Sequence, residues 1–138
     1  MGFTGILLHK LSTANEQDQR GVTYEWCKGL PGLQVTIYQR KKGSICGNHF
    51  HKGDDPSKNP ERFFLVQGTM RLKAWNLHGE HMNCLVEAGT EMILEPNVLH
   101  SLEAQTDVTY IEYRSTVFNK AKPDCYPAEL FPFNEQKM

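Results

Sequence analysis

Helical periodicity, internal repeats, long apolar runs and a surplus of either charge are all missing from these 138 residues. Fifteen Lys and Arg nearly cancel sixteen Asp and Glu, leaving a formal charge of -1. That balance excludes a protein that coats nucleic acid and one that anchors to a membrane through a polybasic patch. No apolar stretch approaches the roughly 18 residues of a membrane span. The first ten residues hold only a short apolar patch, Ile6-Leu7-Leu8, with no leading positive charge, so no signal peptide is expected. The four cysteines, Cys27, Cys46, Cys84 and Cys125, form no CxxC pair. Without an export signal they are expected as reduced thiols in a cytoplasmic protein. No linker or low-complexity tract divides the chain. A single domain over 1–138 is therefore expected, with its core at about 20–118.

What is present is alternation with period two, broken by Gly, Pro, Asn and Asp, which is the pattern of many short strands. Runs of this kind cover 22–27, Leu33–Gln39, Glu61–Val66, Thr69–Trp75, Met82–Val86, Thr90–Leu94, Val98–Ala104 and Val108–Arg114. Turn residues separate them at Gln67-Gly68, His78-Gly79, Ala88-Gly89 and Pro96-Asn97. Eight to ten strands at this spacing predict an all-β antiparallel sandwich or barrel. A turn is expected at 16–20 and a helical turn at Pro127–Leu130. The tail from Lys120 is rich in Pro and aromatics. It is too apolar to hang free and is expected to pack on the barrel or on a partner chain.

The segment Gly43 to Gly68 carries the chemistry. His49 and His51 stand two apart, so on a strand both imidazoles leave the same face, half of a metal site. Glu61 opens the following strand, and His100 interrupts an apolar stretch after Pro96-Asn97. His9, His78 and His81 have no such partners, and Arg62, Arg71 and Lys73 read as a solvated face.

Here the chain resembles the cupins. Their first motif, G-x5-H-x-H-x3,4-E-x6-G, is matched by Gly43, His49, His51, Glu61 and Gly68. Their second is similar to Gly89 through His100. The resemblance implies a cupin double-stranded β-helix, a jelly-roll barrel of the RmlC-like type. Its cavity would hold one divalent transition metal (Fe, Zn, Mn, Ni or Co) on His49, His51, Glu61 and His100. Two departures stand out. Nine residues, not three or four, separate His51 from Glu61, so Asp54 or Asp55 is an alternative carboxylate ligand. Val98 stands where the second motif usually has glycine.

A second resemblance points to sugars. Asp18-Gln19-Arg20-Gly21 looks like the D-x-R-G element of cupins acting on deoxysugar nucleotides. In those keto-isomerases and epimerases a histidine, not a metal, moves a proton beside a ketone, a role open to His49 or His51. They commonly carry Arg where Cys46 stands here. The leading expectation is a metal-dependent cupin enzyme, an isomerase, epimerase or dioxygenase, acting on a small polar or carbohydrate-like molecule. The alternatives are a metal-free sugar-nucleotide isomerase or epimerase and a non-catalytic small-molecule-binding cupin. No nucleic acid or membrane partner is expected. A homodimer is, with Ile6-Leu7-Leu8 and Phe131-Pro132-Phe133 as candidate interface strips.

Overall fold

The computed structural model describes residues 2–12 and 21–137. In chain order the strands are β1 (Ile6–Lys10), β2 (Gln34–Arg40), β3 (Ile45–Phe50), β4 (Glu61–Gln67), β5 (Thr69–Trp75), β6 (His81–Glu87), β7 (Thr90–Leu94), β8 (Leu99–Ala104), β9 (Val108–Arg114) and β10 (Tyr126–Pro127). They form two five-stranded sheets, ordered β1-β7-β4-β9-β2 and β10-β3-β8-β5-β6. All the pairings are antiparallel. The two sheets close as a jelly roll, the cupin-type barrel expected from the alternation and the paired motifs.

Strand parity decides what faces the interior. Phe63 and Leu65 of β4, Met70 and Leu72 of β5, Met92 and Leu94 of β7 and Leu102 of β8 meet in one core. Leu65, Met70, Leu72 and Met92 are fully buried, and each such burial contributes roughly 1.5–3 kcal/mol. A second cluster lies outside the barrel, where Phe131 packs edge-on against Phe50 with ring centroids 4.9 Å apart. The C-terminal segment thus docks on the second sheet of its own chain, and the expected helical turn forms at Ala128–Leu130.

Two expectations are corrected. Residues 22–27 are not a strand. Their alternation sets Tyr24 and Trp26 on one side, and both pack on Phe64 of the first sheet at 5.4 and 5.7 Å. Their apolar period is spent on a covering loop. Conversely, Ile6–Lys10 is a strand, paired with β7. It is the edge strand of the first sheet, with Ile6 and Leu8 packed against the core and Leu7 exposed. In the other candidate strip, Phe131 at 1% exposure is buried within its own chain. The 16–20 turn and most of the D-x-R-G element lie outside the described residues.

Candidate active site

The histidines reach the cavity through a β-bulge. In the β3–β8 ladder Cys46 opposes Leu102 and Gly47 opposes Ser101, but His49, not Asn48, opposes His100. One extra residue shifts the parity, so Cys46, His49 and His51 face inward and Phe50 faces out. Gly47 and Asn48 both take positive φ, 95° and 60°, which glycine and asparagine tolerate best. A Cβ on Gly47 would lie 2.8 Å from the His100 carbonyl oxygen. His51 follows β3 directly. The Asn97 amide donates to its carbonyl at 2.6 Å, so the Pro96-Asn97 turn sets the two histidine-bearing segments side by side.

His51, Glu61 and His100 are each at most 5% exposed, and each brings a ligand atom within 4.8 Å of the other two. His51 Nδ1 lies 2.6 Å from the Asp124 carbonyl and His100 Nδ1 lies 3.1 Å from the Val98 carbonyl. A carbonyl only accepts, so both Nδ1 atoms carry their hydrogens. In the neutral rings both Nε2 lone pairs then point inward. They stand 3.0 and 3.6 Å from the same Glu61 oxygen, Oε1. Lone pairs facing a carboxylate require a proton or a cation between them. His51 Nε2 and Glu61 Oε1 are in fact both buried without a hydrogen-bond partner. Two imidazoles and a carboxylate are a donor set that fits a divalent transition metal.

His49 stands apart from this triad. It is half-buried, with its ring 4.7 Å from His51 and 5.0 Å from His100. Its ligand atom groups instead with His51 and Cys125. Burial, then the neighbouring imidazoles, lowers its pKa to about 3, so at neutral pH it is an uncharged base. Neither loop aspartate takes the place of Glu61. Asp55 caps the short 3-10 helix Pro56–Lys58 by accepting from the Ser57 amide, and Asp54 is exposed.

The opposite wall comes from β2 and β9. Glu112 Oε1 accepts from the Tyr38 hydroxyl and from Arg114, both at 2.7 Å. Burial, reinforced by the nearby Glu61 carboxylate, pushes the Glu112 carboxyl up to about 8. Burial pushes the Glu61 carboxyl up, but the close approach of His51 and the surrounding imidazoles outweighs it and holds Glu61 low. The pair therefore differs in charge although both members are buried. Lys58 Nζ donates to the Pro123 carbonyl at 2.5 Å and lies 4.7 Å over the Phe118 ring. With Arg40, Cys46 and Tyr110 these groups enclose a cavity of about 260 Å3.

Several of these residues escape the motif reading. Glu112 and Arg114 share strand parity with Val108 and Tyr110, a buried charge pattern visible in the sequence. Asp124 carries no such signal. Its carboxylate accepts from the amides of Lys52, Gly53 and Asp55 at 2.9, 3.0 and 3.1 Å. It thereby pins the long loop between His51 and Glu61 while its carbonyl orients His51.

A family model described as the polysaccharide biosynthesis C-terminal domain matches residues 16–126. The chain belongs to this family. The match takes in β2 through the first residue of β10, and with them His49, His51, Glu61 and His100. Among curated proteins no sequence match is found. By structure, the chain is similar to ChmJ, a 3'-monoepimerase from Streptomyces bikiniensis solved with dTDP-quinovose. The TM-score is 0.70 at 18% identity, over 85% of this chain and 67% of that one. It is also similar to QdtA, a sugar 3,4-ketoisomerase from Thermoanaerobacterium thermosaccharolyticum solved with TDP. There the TM-score is 0.68 at 14% identity, over 90% and 88% of the two chains. CapF, a capsular polysaccharide assembling protein from Staphylococcus aureus, aligns at 25% identity and a TM-score of 0.58. That alignment covers 86% of this chain and 32% of CapF. The RmlC-like cupin jelly roll is thereby established for this chain.

Proposed function

We propose that this chain moves a proton at a carbon beside a ketone in a nucleotide-linked sugar, as an epimerase or keto-isomerase. The observation that carries this reading is the place of His49, whose imidazole lines the cavity yet stands outside the His51/Glu61/His100 triad. His49 takes the proton from carbon, and the electron pair moves onto the ketone oxygen. Arg40 and Lys58 line the same cavity and lower the cost of that developing charge. Return of the proton to the other face gives the epimer; its return to the former carbonyl carbon, with the adjoining hydroxyl proton passing to the old ketone oxygen, gives the isomer. Family membership, the dTDP-quinovose bound to ChmJ and the TDP-4-keto-6-deoxyglucose bound to a QdtA variant support this substrate class. Metal dependence, the leading expectation from sequence, gives way here to proton transfer by imidazole, which the separate position of His49 favours.

A second reading has its own observation, the unpartnered His51 Nε2 and Glu61 Oε1. His51, Glu61 and His100 would hold a divalent ion there. Such an ion supplies Lewis-acid polarisation of a substrate oxygen. Pairing of two chains stays part of the proposal and is read by light scattering.

The test is deuterium wash-in. TDP-4-keto-6-deoxyglucose and its UDP counterpart are incubated in D2O with protein stripped by chelator, and followed by NMR. Exchange at a carbon beside the ketone is expected. No exchange with either sugar, with or without added metal, contradicts the proposal. Exchange only after metal is restored favours the second reading.

A further inference from the structure

We propose that Cys125 is a metal ligand. With His49 and His51 it forms a soft two-imidazole, one-thiolate site at the cavity mouth, which takes a zinc-class divalent ion. The inference builds on the second reading above, that this cavity accepts a divalent cation; an ion held there occupies the His49 lone pair, so it and proton transfer by His49 exclude one another.

The ladder puts the thiol there. β10 pairs with β3 so that Tyr126 opposes Phe50 and Pro127 opposes His49. Tyr126 and Phe50 turn outward and stack at 5.5 Å. One step further along the same antiparallel register, Cys125 stands across from His51, on the inward face. His49, His51 and Cys125 each bring a ligand atom within 4.8 Å of the other two. The neighbouring residue fixes this placement, because Asp124 accepts from His51 Nδ1 through its carbonyl and from the Lys52 amide through its carboxylate.

The site has an open donor, shared with the deeper set: His51 is 4% exposed, and its Nε2 has no hydrogen-bond partner although it stands 3.0 Å from Glu61 Oε1. Cys125 is exposed and in no disulfide, and it also borders a second opening of about 410 Å3 beside Asp55 and Tyr126. An ion can therefore arrive from solvent on the thiol side. Binding breaks the S–H bond, forms a metal–sulfur bond and releases one proton to buffer. A thiolate with two imidazoles selects zinc, cobalt or cadmium over manganese or magnesium. His51 belongs to both triads, so the thiolate site competes with the deeper His51/Glu61/His100 set for one imidazole.

The experiment is a cobalt(II) titration of stripped protein, read by absorption and by proton release. Wild type is expected to show a thiolate-to-cobalt charge-transfer band in the near ultraviolet. Cys125→Ser should lose that band and bind cobalt at least about 10-fold more weakly, the loss expected even for an outer-shell partner. Cys46→Ser, which removes the cavity's other thiol, and Glu61→Gln should both keep the band. Cobalt bound with visible ligand-field bands, but with no charge-transfer band and no loss of affinity in Cys125→Ser, overturns the inference while the cation reading stands. A band that disappears in Glu61→Gln but persists in Cys125→Ser also overturns it. Absence of any cobalt binding by wild type overturns both.

Discussion

The two ends of this barrel are built from the same strands and do opposite things. Along β4 the inward residues run Glu61, Phe63, Leu65. Along β8 they run His100, Leu102, Ala104, and along β9 Arg114, Glu112, Tyr110, Val108. Two or three inward positions separate an ionisable end from an apolar one. At the closed end Leu65, Met70 and Leu72 have zero exposure and pack against one another. At the open end buried polar atoms are left without partners, among them His51 Nε2, Glu61 Oε1 and Glu112 Oε2. Unpaired buried groups cost stability. The apolar end offsets that cost, and the open end keeps atoms free for a substrate or an ion.

The difference between the ends is open to direct attack. Leu72→Ala at the closed end should lower stability by about 2–5 kcal/mol in urea unfolding, while each folded molecule keeps its sugar-exchange rate. A loss of rate with unchanged stability would break the division. Gly47→Ala should damage both properties. A side chain there meets positive φ and the His100 carbonyl at 2.8 Å. Strain and overpacking each cost about 1–3 kcal/mol. Asp124→Ala removes the acceptor for three loop amides and should cost about 1–3 kcal/mol. Hydrogen exchange should rise at Lys52 to Asp55 and stay unchanged in β5.

The smallest effect is in the pH profile. His49 is held neutral down to about 3, so the unfolded chain binds a proton that the folded one refuses. Stability from this residue rises with pH until the ordinary histidine range is passed. Glu112, pushed up to about 8, works the other way. The folded chain keeps its proton where the unfolded one loses it, so stability falls as pH climbs toward 8. Between the ordinary carboxylate value of 4.5 and the ordinary histidine value of 6.5 the two slopes cancel, so a flat maximum across that interval is expected, with slopes under about 1.4 kcal/mol per pH unit on either side. Glu112→Gln should flatten the alkaline limb and His49→Asn the acid one, each read from urea midpoints between pH 4 and 9.

Much of the open end is legible in the sequence because its spacing is local. His49 and His51 at i and i+2, Glu61 at the start of a strand, and His100 after a Pro-Asn turn all appear as pattern. The bulge at Asn48 is not legible, because it depends on the register that β8 imposes. Nor is Cys125 or Asp124, since each reaches the site only when the C-terminal segment docks on β3. Glu112 and Arg114 are intermediate. Their parity with Tyr110 is written in the chain, but charged residues on a buried face read as solvent-facing until the partner strand β2 and its Tyr38 are in place. The 22–27 segment shows the reverse error. Its aromatic alternation is that of a strand, and only the absence of a ladder partner makes it a cover for Phe64.

The most direct test of the account measures one variant twice. His49→Asn is followed by urea unfolding and by deuterium wash-in to TDP-4-keto-6-deoxyglucose or its UDP counterpart. Stability at neutral pH close to wild type and an exchange rate about 10²–10⁴-fold lower are expected. An exchange rate equal to that of wild type, in a folded His49→Asn protein, would contradict the assignment of proton transfer to the open end of this barrel.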